Sequence, residues 1–308
     1  MSGVKIIKIK SEDDGIRLNR WFLREYPALS LSRLQKLLRT KQIKVEGKRA
    51  ETSTRLLAGQ ELRIPPLDNE KAVSDNKALS KNDADFITSL VIYKDDKIIA
   101  LNKPSGLAVQ GGTNTTRHID GMLEALKFEA NEKPKLVHRI DKETSGLLIL
   151  ARNRKSAEML TKAFRDKNLQ KTYLALVRGC PEPREGTIEY NLEKVGEKMQ
   201  VVEDGQKALT QIKVLDNTGK KFALVEAHPL TGRTHQIRAH LEAIGTPILG
   251  DNKYYGKERV HLKEIQDKLY LHAYKIDLSN IYNKKMVLTA DLPKHFVEAC
   301  QFFGLEIK

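Results

Sequence analysis

Residues 136–151 read LVHRIDKETSGLLILA. Apolar Leu136 and Val137 lead into a polar loop that ends on Thr144-Ser145-Gly146. GLLILAR at 146–152 is then a run of apolar residues closed by Arg152. Such a run reads as a strand buried on both faces, and Thr-Ser-Gly ahead of it reads as a turn. Asp141 falls on the loop between the two packed elements. An Asp at that point ordinarily serves the turn, but a carboxylate held so rigidly also suits catalysis.

Strands dominate on both sides of this stretch. VIYKDD (91–96) and KIIALNK (97–103) predict two paired strands turning at Asp95-Asp96. Residues 154–167 have helical spacing, with Ala157, Leu160, Ala163 and Phe164 facing inward. KTYLALVRG (171–179), LTQIKVLDN (209–217) and KFALVEAHP (221–229) alternate or run apolar as strands. RTHQIRAHLEAIG (233–245) reads as a helix that stops at Gly245 and Pro247. Strands in sequence with a few interspersed helices predict an α+β mixed sheet with flanking helices, not a doubly wound one. Neither GxGxxG nor GxxxxGK[ST] occurs. That argues against the nucleotide cofactors these loops cradle, and so against a methyltransferase-like RNA enzyme.

Ahead of the strands, PPLDNEKAVSDNKALSKNDADFITS (65–89) opens on Pro-Pro, is polar, and shows little apolar periodicity. It predicts a linker over 67–89 between a small unit at 1–66 and a larger one at 90–308. In the small unit Leu18, Trp21, Phe22 and Tyr26 recur at helical spacing. Ser30 or Ser32 can cap a second helix whose apolar face carries Leu34, Leu37 and Leu38, leaving Arg33, Lys36, Arg39 and Lys41 open to phosphates. IKVEGKRA (43–50) reads as a short hairpin, and ELRIP (61–65) as a closing strand. Two helices and a small sheet, with bases on the second helix, resemble the alpha-L RNA-binding fold of ribosomal protein S-four over roughly residues 15–65.

Composition supports a polyanionic partner. The 308 residues carry a net charge of +14. Residues 1–66 hold 15 Lys and Arg against 7 Asp and Glu, a surplus of 8; the remainder holds a surplus of only 6. A concentrated positive field favours nucleic acid. The two cysteines, Cys180 and Cys300, are far apart and match no zinc spacing, so two reduced thiols and no metal are expected. No apolar run approaches the roughly 20 residues of a membrane span. The acidic start, with Glu12, Asp13 and Asp14, argues against a secretory or transit segment. The expectation is a cytoplasmic protein, with nothing requiring more than a monomer.

HRIDKETSGLLILA (138–151) resembles the central motif of the RluA-type pseudouridine synthases, HRLDxxTSGxxxxA, with Ile140 in place of the usual Leu. Three further stretches follow the family's order. They are KPSGLAVQGG (103–112), where Gln110 stands at a frequent His, GRTHQIRAHL (232–241) with GTPILGDNKYYG (245–256), and LHAYKI (271–276). Four ordered motifs across roughly residues 90–300 are far more specific than one. With the basic N-terminal unit, the chain is most similar to the RluC type, the branch acting on large-subunit ribosomal RNA.

The resemblance implies a mainly antiparallel catalytic sheet and a role for each matching residue. Asp141 corresponds to the essential aspartate. The reaction detaches uracil at N1, turns it, and rejoins it through C5 to ribose C1′. The carboxylate could attack C1′, attack C6 or stabilise charge at C1′, and the sequence leaves all three open. Each needs an ionised Asp, and a nearby cation favours that form. Arg238 matches the arginine that pairs with the aspartate. Tyr173 matches a tyrosine that stacks on the base and takes part in proton transfer from C5. Lys171 would support the site electrostatically, and Leu271 and Ile149 are candidates for an apolar wall. A stacked uridine must be flipped out, and Arg139 matches the residue that fills the vacated space. His138, His235, His240 and His272 read as hydrogen-bonded scaffold, since no Ser or Cys nucleophile accompanies them. An isomerisation needs neither redox cofactor nor metal. The competing reading is a non-catalytic RNA-binding ribosome-assembly factor, which would leave Asp141, Tyr173 and Arg238 unexplained as a set.

Overall fold

The computed structural model describes residues 4–26, 29–67, 79–112, 115, 117–166, 168–256 and 261–307. The chain divides into two compact units, Met1–Ala78 and Leu79–Lys308. In the first, β1 (Lys5–Lys8) precedes α1 (Leu18–Glu25) and α2 (Leu31–Arg39). β2 (Lys44–Val45), β3 (Lys48–Arg49) and β4 (Glu61–Ile64) follow. The order β1-β4-β2-β3 makes a four-stranded antiparallel sheet. Glu46 and Gly47, both at positive φ, give the turn whose twist suits a two-residue hairpin. Ser30 is the residue that caps α2, its Oγ accepting from Arg33 N at 3.3 Å. Leu34 and Leu38 are buried beside Leu18, Trp21 and Phe22, and Leu37 is half-buried against them. The strand β1 has no counterpart in the sequence reading; its Ile7 and the following Ile9 pack against the core of this unit while Ile6 is exposed.

The second unit opens with α3 (Lys81–Ser89), β5 (Val91–Lys94) and β6 (Ile98–Lys103). α4 (Ile119–Met122), β7 (Lys135–Leu136), β8 (Ser145–Ala151), α5 (Arg154–Arg165) and β9 (Gln170–Arg178) come next. β10 (Glu185–Val195), β11 (Lys198–Val201), β12 (Gln206–Thr218), β13 (Phe222–Pro229), α6 (Gln236–Ala243), β14 (Leu271–Asp277), α7 (Ser279–Tyr282), β15 (Val287–Thr289) and α8 (Lys294–Phe303) complete it. The sheet runs β11-β10-β12-β13-β9-β14-β8-β6-β5, with β15 on β14 and β7 on β8. Among the described residues only β8 and β14 pair in parallel; the other ladders are antiparallel. All seven residues of β8 are buried, as the apolar run of a central strand requires.

Three expectations change. The linker expected over 67–89 ends early, because Lys81–Ser89 is a helix capped by Ser80 with Ile87 wholly buried; residues 68–78 lie outside the described part. Ser145-Gly146 is no turn but the start of β8. The turn lies one step earlier, where Thr144 N donates to Asp141 O at 3.2 Å. Gly146, at φ +106, faces the backbone of Ala273 so closely that a Cβ would run into the Ala273 carbonyl. Helix α6 starts at Gln236, three residues later than the sequence pattern, behind His235 in the left-handed region.

Candidate active site

The sheet register assembles the site. Ala273 on β14 is paired with Gly146 on one side and with Tyr173 on the other. A single row across three strands thus joins the end of the Asp141 loop to Tyr173. Helix α6 supplies the opposite wall. Gln236, Ile237, Arg238, Ala239, His240 and Leu241 are all buried, so α6 can hold a charge out of water only if that charge is paired.

Arg238 is paired twice. Its Nε and Nη2 donate to Oδ2 and Oδ1 of Asp251 at 2.7 and 2.8 Å, a bidentate fork. Its Nη1 lies 3.5 Å from Asp141 Oδ2. Asp251 also accepts from the backbone N–H groups of Lys253 and Tyr254. The guanidinium's closest partner is therefore Asp251, and Asp141 is its outward one. Burial works against the Arg238 charge, but the Asp251 hydrogen bonds and the carboxylates of Asp251 and Asp141 outweigh it and raise its pKa. Asp141 gains a fixed cation while its own side chain stays 22% exposed, open to a ligand.

Asp141 sits between two cavities of about 420 and 360 Å³, within the range of small-molecule sites. The larger is walled by Tyr173, Leu271, Phe164, Ile237 and Val137, with Lys171 and Arg165 also on its lining. Leu271 forms part of the wall; Ile149, fully buried in β8, lines neither cavity. Burial and the Asp141 charge push the Tyr173 hydroxyl far above its ordinary pKa, so it keeps its proton at neutral pH. Arg139 is exposed and lines both cavities. Arg33, Lys36, Arg39 and Lys41 are exposed on the N-terminal unit.

The histidines divide. His138 Nε2 accepts from Ile149 N at 2.8 Å while its ring stacks on Phe164 at 4.3 Å. His272 bridges Ser145 Oγ and Ala290 O at 2.9 and 3.0 Å. Both are scaffold. His240 is buried edge-on to Tyr190, and neither of its nitrogens has a hydrogen-bond partner among the described residues, against expectation. His235 faces the site: its Nε2 lies 3.8 Å from Asp141 Oδ2.

Asp251 and Lys103 are further site residues to which sequence reasoning assigned no role. Lys103 is fully buried, and its Nζ donates to the carbonyls of Pro104, Leu107 and Lys142, each at 2.9 Å. It ties the first motif's loop to the loop carrying Asp141. Burial pulls its pKa down to about 7, against the opposing charges of Glu143 and Asp141. Both residues stood inside quoted motifs, but a partner far away in sequence gives no periodic signal. Among the described residues no three His, Cys, Asp or Glu side chains gather as a metal site. No described helix is long and apolar enough to cross a membrane.

A mainly antiparallel mixed sheet carries a carboxylate, an arginine and a tyrosine around one cavity, the arrangement expected of a pseudouridine synthase. Residues 97–243 match the RNA pseudouridylate synthase family. The "Ribosomal large subunit pseudouridine synthase C" of Rickettsia bellii is 40% identical over 292 residues, covering 91% of this chain and 95% of that protein. Its namesake in Escherichia coli is 35% identical over 284 residues, covering 88% and 87%. The solved structure titled "Human RNA Pseudouridylate Synthase Domain Containing 4" superposes with a TM-score of 0.63 at 29% identity, over 73% of this chain and 96% of that one. The chain belongs to the RNA pseudouridylate synthase family, in its RluA type.

Proposed function

We propose that this pseudouridine synthase modifies uridines of large-subunit ribosomal RNA, with Asp141 as its essential carboxylate. The observation that carries the reading is the Asp141–Arg238–Asp251 chain at the mouth of a cavity walled by Tyr173 and Leu271. A uracil in that cavity would lie against the Tyr173 ring, its sugar toward Asp141. The N1–C1′ bond breaks, the C5–C1′ bond forms, C5 gives up its hydrogen and N1 takes one. In this reading Asp141, beside Arg238, would attack C1′ or C6 or stabilise charge at C1′, and Tyr173 would take part in removing the hydrogen from C5. Arg139, exposed on the rim, is suited to fill the space left by the flipped base, with Lys171 adding positive charge inside.

The large-subunit substrate rests on the relatives' names and on the charge distribution. The N-terminal unit, read as an alpha-L fold, presents Arg33, Lys36 and Arg39 on the exposed side of α2 and Lys41 on the turn after it, a spacing suited to phosphates. Pseudouridine mapping of ribosomal RNA from a strain lacking this protein tests the assignment. Discrete large-subunit sites should vanish and return with the wild-type chain, but not with Asp141→Asn. An unaltered large-subunit map would refute the substrate.

A further inference from the structure

We propose that His235, locked in one tautomer by Tyr254, is a positioning residue that fixes the Asp141 carboxylate through Oδ2 and so presents Oδ1 to the substrate. The inference rests on the reading of Asp141 as the essential carboxylate.

The proton count comes first. Tyr254 Oη accepts a hydrogen bond from Met199 N at 2.6 Å and lies 2.9 Å from His235 Nδ1. Tyr254 Oη already accepts from Met199 N, and among the described residues His235 Nδ1 is the acceptor within reach of its buried hydroxyl hydrogen. His235 Nδ1 is then the acceptor, and the ring hydrogen sits on Nε2. That nitrogen faces Asp141 Oδ2 at 3.8 Å. Burial, together with Arg238 and Lys253, lowers the pKa of His235, against Asp141 and Asp251; the neutral ring with a single outward N–H is the form that results near pH 7.

Geometry supplies the second argument. His235, the residue just ahead of α6, has φ +50 and ψ +21. A non-glycine side chain rarely adopts that backbone, and residues held there cluster at functional sites. Here the turn ahead of α6 brings His235, and the first turn of the helix brings Arg238, against the same oxygen. Among the described residues these are the two basic side chains within 4 Å of Asp141, and both approach Oδ2. The distance of 3.8 Å is longer than a hydrogen bond. Catalytic contacts of this kind tighten when substrate fills the site, and less than 1 Å of closure suffices.

Three variants test the assignment in the full chain. His235→Asn tolerates the left-handed backbone but is too short to reach Oδ2. His235→Gln strains the backbone more yet carries an amide N–H to the place of Nε2. Tyr254→Phe removes the tautomer lock. Single-turnover tritium release from 5-tritiated uridine RNA should fall on the order of 100-fold in the Asn variant, the scale of a 1 Å misplacement. RNA affinity should stay near wild type, and Gln should recover most of the loss. Tyr254→Phe should lose rate without losing affinity, which keeps a result in hand if His235→Asn fails to fold. A wild-type rate in His235→Asn or in Tyr254→Phe, or a Gln variant no better than Asn, overturns the proposal. Asp141→Asn is measured beside them: if it is inactive while His235→Asn is normal, only this inference fails, and if it is active the underlying reading fails.

Discussion

Asp251 shows what a single residue contributes here. It has no exposed side-chain surface, and its two oxygens serve the Arg238 fork and two backbone N–H groups. Taking one partner from a buried ion pair typically costs about 3–5 kcal/mol, because the other charge is stranded. Asp251→Ala should lower the unfolding free energy of the catalytic unit by about that much and depress pseudouridine formation with it. A urea titration followed by far-UV circular dichroism reads this, since the single tryptophan, Trp21, reports on the N-terminal unit instead. Unchanged stability would mean that Arg238 is held by something other than the fork. At this scale the sequence was legible where a motif carried it. Asp141, Tyr173, Arg238 and Leu271 meet at one cavity. Pairings such as Asp251 with Arg238, or Lys103 with three carbonyls, depend on contacts that neither periodicity nor composition encodes.

Among the elements, β8 and β14 set the precision of the site. Their parallel pairing is short, through His272–Ser145 and Ala273–Gly146, and it needs a residue without a Cβ where the strands meet. Gly146→Ala would add both a disfavoured φ and an overlap with backbone that cannot move aside. Strain of that kind costs about 1–3 kcal/mol and overpacking about as much again. The variant should melt well below wild type and lose activity; equal melting temperatures would contradict the strand packing. The sequence announced β5, β6, β8, β9, β12 and β13 through alternation or apolar runs. It missed β10, whose charged residues are exposed, and the four-residue β11 paired to it. It also hid α3, because a helix with one fully buried apolar residue, Ile87, resembles a polar linker.

For the molecule as a whole, positive charge is densest in the unit that does not carry Asp141. The two units carry equal positive surpluses, +7 each, but the first holds its surplus in 78 residues and the second spreads its own over 230; Asp141 lies on the second. Replacing Arg33, Lys36, Arg39 and Lys41 together by Gln in the full chain should weaken RNA binding. It should also flatten the dependence of log affinity on log salt by up to about 0.9 per lost phosphate contact. An unaltered slope would show that this face does not touch RNA. At the centre of the proposed chemistry is one carboxylate, Asp141, beside Arg238. The most direct measurement of its role is tritium release from 5-tritiated uridine in large-subunit RNA by the wild-type chain and by Asp141→Asn at matched RNA occupancy. Release by the first and none by the second is the predicted result; equal release by both would contradict it.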